Sequence, residues 1–147
     1  MSLKSYKEKR SFRRTPEPTG GAPDSEALTF VIQKHQATHL HYDCRLELRG
    51  VLKSWAVPKG PSTNPEDRRL ATHVEDHPFD YKNFEGIIPK GNYGAGTVII
   101  WDEGTYKPIN STGNKKEDEK LLLKQYYSGK ISIILKGKKL KGLYHLS

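Results

Sequence analysis

Three side chains with ligand chemistry stand at two-residue spacing in the stretch from His41 to Arg45. Successive side chains of an extended strand point to opposite faces, so His41, Asp43 and Arg45 share one face. Neighbours at this spacing lie about 6.6 Å apart at the backbone, which lets an imidazole and a carboxylate converge on one cation. Arg45 lies one step further along, where its guanidinium can hold an anion attached to that cation. This face therefore predicts metal and anion binding.

The other face of the same stretch carries Tyr42, Cys44, Leu46 and Leu48, which is typical of a strand packed on an apolar core. Cys44 is accordingly interpreted as a small core residue and not as a nucleophile. It is the one cysteine of the chain. A disulfide framework and a cysteine-rich zinc site are therefore excluded, which fits a reducing cytosol.

A second imidazole belongs to His35, upstream of the strand. If residues 35 to 41 were one straight strand, the two histidines would lie about 20 Å apart and could not share a ligand. A chain reversal between residues 36 and 39 brings Gln33 and His35 beside His41 and Asp43. Two imidazoles and one carboxylate suit a divalent transition metal with open coordination positions. The alternative interpretation is a His-x-Asp pair that is only hydrogen-bonded.

The elements that must position these residues are short strands separated by glycine-containing turns. A tight turn is predicted at Arg49-Gly50, a further turn at residues 102–104, and a helix over residues 117–127 that ends at Gly129. Strands are predicted over residues 28–35, 41–48, 51–57, 69–75, 97–101, 131–135 and 140–146. The predicted fold is mostly all-β, a compact β-barrel of about seven or eight antiparallel strands with a short helix.

The glycine-rich stretch at residues 89–96 is followed by a predicted strand and not by a helix, which argues against a nucleotide phosphate loop. Its glycines are expected to permit a bulge or a close backbone crossing.

The first 27 residues are polar and basic, and two interpretations of them stay open. Their composition is typical of a disordered tail. The functional interpretation is a basic N-terminal arm laid on a phosphate backbone, with Arg10 and Glu17 reaching back to the site. The domain prediction is this arm over residues 1–27 and a single β-barrel domain over residues 28–147.

The bulk composition indicates one domain with an acidic partner. The 147 residues include 25 Lys and Arg against 17 Asp and Glu, a formal net charge of +8. Nucleic acid is the commonest partner of such a chain. No apolar run reaches the length of a membrane span and the N-terminus lacks the apolar segment of a signal peptide, so no membrane partner is expected. A monomer in the prokaryotic cytoplasm, associated with the nucleoid, is predicted.

Several motifs resemble, in order and in spacing, the 3′-phosphoesterase domain of bacterial and archaeal DNA ligase D. The matching segments are FVIQKH at 30–35, HYDCRLEL at 41–48, KSWAVPKG at 53–60, EDHP at 75–78, FEGIIP at 84–89, GAGTV at 94–98 and WDEG at 101–104. The resemblance runs from about Arg10 to the last predicted hairpin. It implies a stand-alone form of this domain.

The resemblance implies a manganese-dependent enzyme that heals 3′ ends before non-homologous end joining. Such an enzyme removes a terminal ribonucleoside as a phosphodiesterase, leaving a 3′-phosphate, and then removes that phosphate as a phosphomonoesterase. The implied cofactor is one Mn²⁺ ion, with other divalent transition metals possible. The implied substrates are DNA or mixed RNA–DNA 3′ ends at a primer–template or break. A separate ligase or polymerase of the end-joining pathway is the implied protein partner.

Roles for individual residues also follow from the resemblance. His35, His41 and Asp43 match the metal ligands, and Arg45 and His77 match residues that grip the scissile phosphate. Catalytic or supporting roles are implied for Gln33, Glu75 and Tyr81, phosphate handling for Lys59 and Arg69, and completion of the site for Arg10 and Glu17. The chain departs from the family pattern at Ser11, where an acidic residue usually follows the Lys-Arg pair.

Two other classes of protein compete with this interpretation. Two histidines and a carboxylate on a β-barrel also describe the iron site of an Fe(II) oxygenase, although His35 lies upstream of the His-x-Asp pair instead of far downstream. A non-catalytic basic β-barrel that binds nucleic-acid ends is the other alternative. It predicts salt-sensitive binding that survives loss of His41 and Asp43.

Overall fold

The computed structural model describes residues 2–23 and 25–147, so Met1 and Asp24 of the predicted arm lie outside the described residues. The fold is an antiparallel sheet curled into a half-barrel, with few short helices. The elements are α1 Lys4–Glu8, β1 Thr29–Gln36, β2 Leu40–Leu48, β3 Val51–Val57, β4 Thr72–Pro78, a 3-10 turn Phe79–Asn83, β5 Gly86–Ile88, β6 Gly96–Pro108, α2 Lys115–Ser128, β7 Ile131–Gly137 and β8 Lys141–Leu146. The prediction of a mostly β fold with seven or eight antiparallel strands is confirmed.

The strand order is β4-β3-β2-β1-β6-β7-β8, and β5 pairs with β6. Strands β1 and β2 therefore lie inside the sheet, with a hydrogen-bonded neighbour on each side. Along β2 the polar side chains of Asp43, Arg45 and Glu47 are buried and that of His41 is half-buried. The face of β2 that was predicted to bind a metal therefore lies in the interior of the sheet and not at its edge.

Two apolar clusters pack on the sheet. One includes Leu122 of α2, and the other includes Tyr6 of α1 together with Phe79 and Tyr81 of the 3-10 turn. The first cluster contains Leu28, Phe30, Ile32, Leu46, Leu48, Trp55, Tyr106, Leu122, Ile131, Ile133, Leu135 and Leu140. Gln33 and Arg45 are in contact with Tyr81, so the polar row of β1 and β2 borders the second cluster.

The turn predicted at Arg49-Gly50 is confirmed and fastened to helix α2. Both residues have positive φ, 52° for Arg49 and 83° for Gly50, as a two-residue hairpin connection requires. The amide of Arg49 donates to the Glu119 carboxylate over 2.6 Å. Helix α2 begins after Asn114, whose side chain accepts from the Glu117 amide, and ends at Gly129 as predicted. Neither described helix has the length and apolar content that a membrane crossing requires.

The predicted turn at residues 102–104 is wrong, because β6 continues through it to Pro108. Asp102 is buried and accepts the amides of Lys138 at 2.8 Å, Lys139 at 3.1 Å and Leu140 at 2.9 Å from the connection between β7 and β8. Gly104 faces the next strand so closely that a Cβ there would overlap the Lys136 carbonyl oxygen. Asp102 therefore binds a distant loop, and Gly104 allows a close contact between strands. Both residue types are also common in turns, which is why the sequence predicted one here.

Two further boundaries bear on the site. Strand β4 covers residues 72–78 instead of the predicted 69–75. The expectation that glycines between 89 and 96 permit a close crossing is confirmed at Gly96, with φ 141°, where a Cβ would overlap the Gln36 carbonyl oxygen. Strands β1 and β6 therefore approach each other beside His35.

Candidate active site

The chain reverses between β1 and β2 where the sequence predicted a bend. Strand β1 ends at Gln36 and β2 begins at Leu40, so three residues make the connection. The antiparallel register pairs His35 with His41 and Gln33 with Asp43. The predicted convergence of these four residues is confirmed.

The two imidazoles close around one carboxylate. His35 Nδ1 lies 3.4 Å from Asp43 Oδ2, and His41 Nε2 lies 3.3 Å from Asp43 Oδ1. One ligand atom from each residue falls within 4.8 Å of the others, a spacing that a single ion can bridge. His35 and Asp43 are buried and His41 is partly exposed, so the group is open on the His41 side.

Backbone carbonyls fix which nitrogen of each ring faces the carboxylate. His35 Nε2 lies 2.7 Å from the Gly94 oxygen, and His41 Nδ1 lies 3.1 Å from the His39 oxygen. A carbonyl only accepts, so these nitrogens carry a proton, and the opposite nitrogens, which face Asp43, are the ones available to a cation. These two nitrogens and the Asp43 carboxylate converge, and a carbonyl-oriented imidazole is the usual arrangement of a histidine metal ligand. The donor set fits a divalent cation.

The charges around this group keep Asp43 ionised. Burial alone would raise the pKa of Asp43, but Arg45 and the hydrogen bonds from His35 and His41 hold that pKa well below its ordinary value. The Asp43 carboxylate raises the pKa of His41. Asp43 is therefore a carboxylate at neutral pH, as a metal ligand must be.

His35, His41 and Asp43 are called the triad from here on. Arg45 lies beside the triad, and one nitrogen of its guanidinium has no hydrogen-bond partner among the described residues. Its Nε donates to Gln33 Oε1 over 2.7 Å, and its Nη2 lies 3.5 Å from Asp43 Oδ2. Gln33 is held in turn by donating to the carbonyls of Tyr81 and Phe84. Nη1 of Arg45 is buried and has no hydrogen-bond partner among residues 2–23 and 25–147. A buried guanidinium with a free N–H suits a phosphate oxygen.

The N-terminal segment contacts the site beside β4. The Arg10 side chain is 4% exposed and the Glu17 side chain 0%, and they form an ion pair over 2.9 Å. Glu75 of β4 lies 3.0 Å from Lys9 Nζ and 3.5 Å from Arg10 Nη1. Tyr81 donates to Glu17 over 2.7 Å and places its ring 4.7 Å from the Arg45 guanidinium carbon. Arg10 and Glu17 thus join the other predicted site residues.

His77 of β4 lies beside Arg10 as a neutral imidazole. Burial and the guanidinium groups of Arg45 and Arg10 lower the pKa of His77 well below its ordinary value. Arg10 Nη2 stands 3.4 Å from His77 Nε2, which must accept because a guanidinium only donates. The proton therefore sits on Nδ1, which donates to the Glu75 carbonyl over 2.9 Å.

Two predicted phosphate-handling residues are not joined to this group. Lys59 is exposed in the connection after β3. Arg69 precedes β4 and pairs with Asp67 over 3.2 Å. Within the part of the chain that the structure describes, no hydrogen bond or ion pair links either residue to the triad.

The structure also adds residues that sequence reasoning missed. The carbonyls of Gly94 and His39 orient the imidazoles, and backbone groups leave no sequence signal. Tyr6, fully buried, stacks edge-on at 4.9 Å from His77 between ring centroids. A single tyrosine in a basic, polar segment has no apolar periodicity to mark it.

Tyr93 lies beside Lys9 and Arg10, with the Lys9 Nζ 4.9 Å and the Arg10 guanidinium carbon 5.2 Å from its ring centroid.

Comparison with known proteins adds independent findings. The model of the family described as the DNA ligase D 3′-phosphoesterase domain matches residues 33–147. The multifunctional non-homologous end joining protein LigD of Pseudomonas aeruginosa is 50% identical over 147 residues, which cover 98% of this chain and 16% of the relative. The corresponding DNA repair protein of Mycobacterium tuberculosis is 44% identical, and the matched region covers 98% of this chain and 18% of the relative. The chain thus spans less than a fifth of the length of these relatives.

Proposed function

The chain belongs to the DNA ligase D 3′-phosphoesterase domain family, and from this we propose that it is a hydrolase that processes 3′ ends in DNA repair by non-homologous end joining. Its substrates are DNA or mixed RNA–DNA strands. It removes a terminal ribonucleoside to leave a 3′-phosphate and then removes the phosphate to leave a 3′-hydroxyl. The net charge of +8 favours such a polyanionic substrate.

His35, His41 and Asp43 hold one Mn²⁺ ion in this proposal. The support is the donor set itself, with two oriented imidazole nitrogens and one carboxylate within 4.8 Å of one another. A bound divalent ion supplies Lewis-acid polarisation of the phosphoryl oxygens and lowers the pKa of a water. Affinity order alone favours zinc or copper over manganese at nitrogen and oxygen ligands, so the proposal implies selection by availability.

Arg45 binds the scissile phosphate through the Nη1 donor that has no partner among the described residues. Gln33 and Tyr81 hold the guanidinium in place, by the 2.7 Å bond to Nε and by the ring beneath it. The guanidinium cannot turn away without breaking these contacts. A fork fixed in this way is complementary to phosphate oxygens and needs little reorganisation during the reaction.

His77 and the N-terminal segment complete the phosphate side of the site. Neutral His77 accepts from Nη2 of Arg10, while Nε and Nη1 of the same guanidinium lie against Glu17 and Glu75. We assign residues 2–18 to the catalytic domain on these contacts. Lys59 and Arg69, exposed and on flanking connections, contact the nucleic-acid backbone further from the reacting atoms.

The observation that carries the proposal is the meeting of a metal-type triad with a guanidinium that has a free donor. His41 Nε2, Asp43 and Arg45 occupy consecutive positions on one face of β2, and every other polar atom of the Arg45 side chain is engaged. A cation beside a fixed anion-binding group is the arrangement that phosphoryl transfer needs.

The test is an assay with manganese on two duplex ends, one with a terminal ribonucleotide and one with a 3′-phosphate. The wild-type protein is expected to shorten the first and dephosphorylate the second. His41→Ala and Asp43→Ala are expected to lose both activities and measurable Mn²⁺ binding while keeping the wild-type circular dichroism spectrum. Absence of processing of either end by the wild-type protein would contradict the proposal.

The same variants separate this proposal from a nucleic-acid-binding module. A non-catalytic β-barrel predicts that end binding survives in His41→Ala and that no manganese-dependent product forms. An Fe(II) oxygenase predicts turnover that requires oxygen and an organic cosubstrate. Both outcomes are read in the assay by omitting oxygen and by measuring binding and product in parallel.

A further inference from the structure

An exposed tyrosine stands at the rim of the site on the glycine-rich connection before β6. Tyr93 is 49% exposed, whereas Tyr6 and Tyr81 of the same region are 0% and 2% exposed. The proposed catalytic groups do not use its hydroxyl. An aromatic ring that is half exposed beside a polar site leaves part of its surface open to a flat ligand.

The connection that carries Tyr93 is fastened to the metal-type triad. The carbonyl of Gly94, the next residue, accepts from His35 Nε2 over 2.7 Å. Gly94 has φ 74°, and a Cβ at this position would come to 3.5 Å from His35 Cε1, so the backbone here is in contact with the imidazole. Tyr93 is therefore held one residue away from a group that orients a metal ligand.

Cationic side chains adjoin the same ring. Lys9 Nζ lies 4.9 Å and the Arg10 guanidinium carbon 5.2 Å from the Tyr93 ring centroid. Arg10 extends inward to His77, 3.4 Å from its Nε2. The ring thus contacts two cationic side chains and belongs to the residue next to Gly94, whose carbonyl contacts His35.

We propose that Tyr93 is a stacking platform for a nucleobase at the 3′ end of the strand. This inference rests on the proposed function and adds to it the part of the substrate that is not phosphate. Cations that follow the backbone combined with an aromatic ring that takes a base are the usual elements of single-strand recognition. Stacking tolerates every base, so the platform selects a nucleoside end without selecting its sequence.

The experiment compares Tyr93→Phe and Tyr93→Leu with the wild-type protein on three ends. One end carries an intact terminal ribonucleotide, one lacks only the terminal base, and one lacks only the penultimate base. Tyr93→Leu is expected to lower kcat/KM on the intact end by about tenfold, the order of one base–aromatic stack, and Tyr93→Phe is expected to retain the wild-type value. The penalty should vanish on the end that lacks the stacked base, which also identifies that base.

A matched control is Tyr127→Leu, which removes a tyrosine that is 76% exposed on helix α2 and should change nothing on any end. Fluorescence anisotropy of the same labelled ends reads the base dependence of binding without turnover. A wild-type protein that binds but does not process ends would overturn the proposed reaction alone. An equal Tyr93→Leu penalty on all three ends, or a Tyr93→Phe penalty as large as that of Tyr93→Leu, would overturn the platform.

Discussion

At the scale of single residues, the site depends on side chains whose orientation is fixed by hydrogen bonds to neighbouring groups. Backbone carbonyls accept from Nε2 of His35 and Nδ1 of His41, so Nδ1 of His35 and Nε2 of His41 face Asp43. Arg45 donates from Nε to Gln33, its Nη2 lies 3.5 Å from Asp43, and its Nη1 has no hydrogen-bond partner among the described residues. This orientation distinguishes a binding site from a buried ion cluster, in which every donor would already have a partner.

Replacement of Arg45 by lysine tests this orientation. Lysine keeps the charge but loses the bond to Gln33 and the planar fork. We expect kcat/KM for both end types to fall by about 100-fold or more, the order found when one transition-state donor is removed. Metal affinity, measured by isothermal titration calorimetry with Mn²⁺, should stay near the wild-type value.

The control for this variant is Arg13→Lys, because Arg13 is an exposed arginine of the N-terminal segment. It should retain wild-type kinetics. Full activity of Arg45→Lys would show that charge alone is sufficient and would remove the fork from the mechanism.

At the scale of elements, an irregularity between β3 and β4 presents the second half of the site. Leu52 pairs with His77 and Ser54 with Val74, so Lys53 alone is opposite Glu75 and Asp76. The extra residue turns Asp76 toward Lys53, at 2.8 Å, and leaves Glu75 free to meet Lys9 and Arg10. A bulge re-aims neighbouring side chains in this way, here toward opposite faces of the sheet.

Lys53→Met tests the element that holds this bulge. The side chains of Lys53 and Asp76 are only 7% and 12% exposed, so the variant strands a largely buried carboxylate. We expect the free energy of unfolding to fall by about 3 kcal/mol, as when one partner of a buried pair is removed. The double variant Lys53→Met/Asp76→Leu should recover most of this loss, measured by urea denaturation.

Lys120→Met provides the matched comparison, since Lys120 and Glu117 form an ion pair with both side chains more than half exposed. Its effect should stay below about 1 kcal/mol. A double variant at 53 and 76 no more stable than Lys53→Met would mean that the bulge needs this ion pair itself and not only charge balance.

At the scale of the whole molecule, residues far apart in sequence close the site from the outside. The N-terminal segment reaches β4 through Lys9 and Arg10, which meet Glu75 some 65 residues later. Burial alone would raise the pKa of Glu75, but the hydrogen bond from Lys9 and the charges of Lys9 and Arg10 lower it. Docking of the segment is therefore coupled to the ionisation of this carboxylate.

The pH dependence of stability follows from the sign of that shift. The pKa of Glu75 is lower in the folded state than in the unfolded chain, so its contribution is complete above the ordinary value of 4.5. The contribution is lost as the pH falls through the lowered pKa. The difference in unfolding free energy between wild type and Glu75→Gln, about 1–3 kcal/mol at neutral pH, should shrink on acidification below that value.

Glu8→Gln is the control, because Glu8 is exposed and pairs weakly with Lys4 over 3.8 Å. Its stability difference from wild type should be small and nearly independent of pH. A Glu75→Gln difference that stays constant from neutral to acidic pH would contradict the coupling.

Local patterns were sufficient for the inner half of the site. The two-residue alternation of β2 predicted that His41, Asp43 and Arg45 share a face, and loss of that alternation after His35 predicted the reversal. The same local logic failed at Asp102 and Gly104, whose residue types indicate a turn although their partners lie more than 30 residues away. Aspartate and glycine indicate a backbone conformation or a hydrogen bond that the chain requires, but they do not indicate which distant residue is the partner.

The sequence by itself determined the ligand types, their common strand face and the register that gathers them, because alternation and chain reversal follow from covalent geometry and local sterics. Only the tertiary structure decided that Arg10 and Glu17 are buried in the site, that Gly94 orients His35 and that Lys59 and Arg69 stay outside. These outcomes depend on which distant surfaces pack together. Such packing is a balance of many weak contacts that no single stretch of sequence contains.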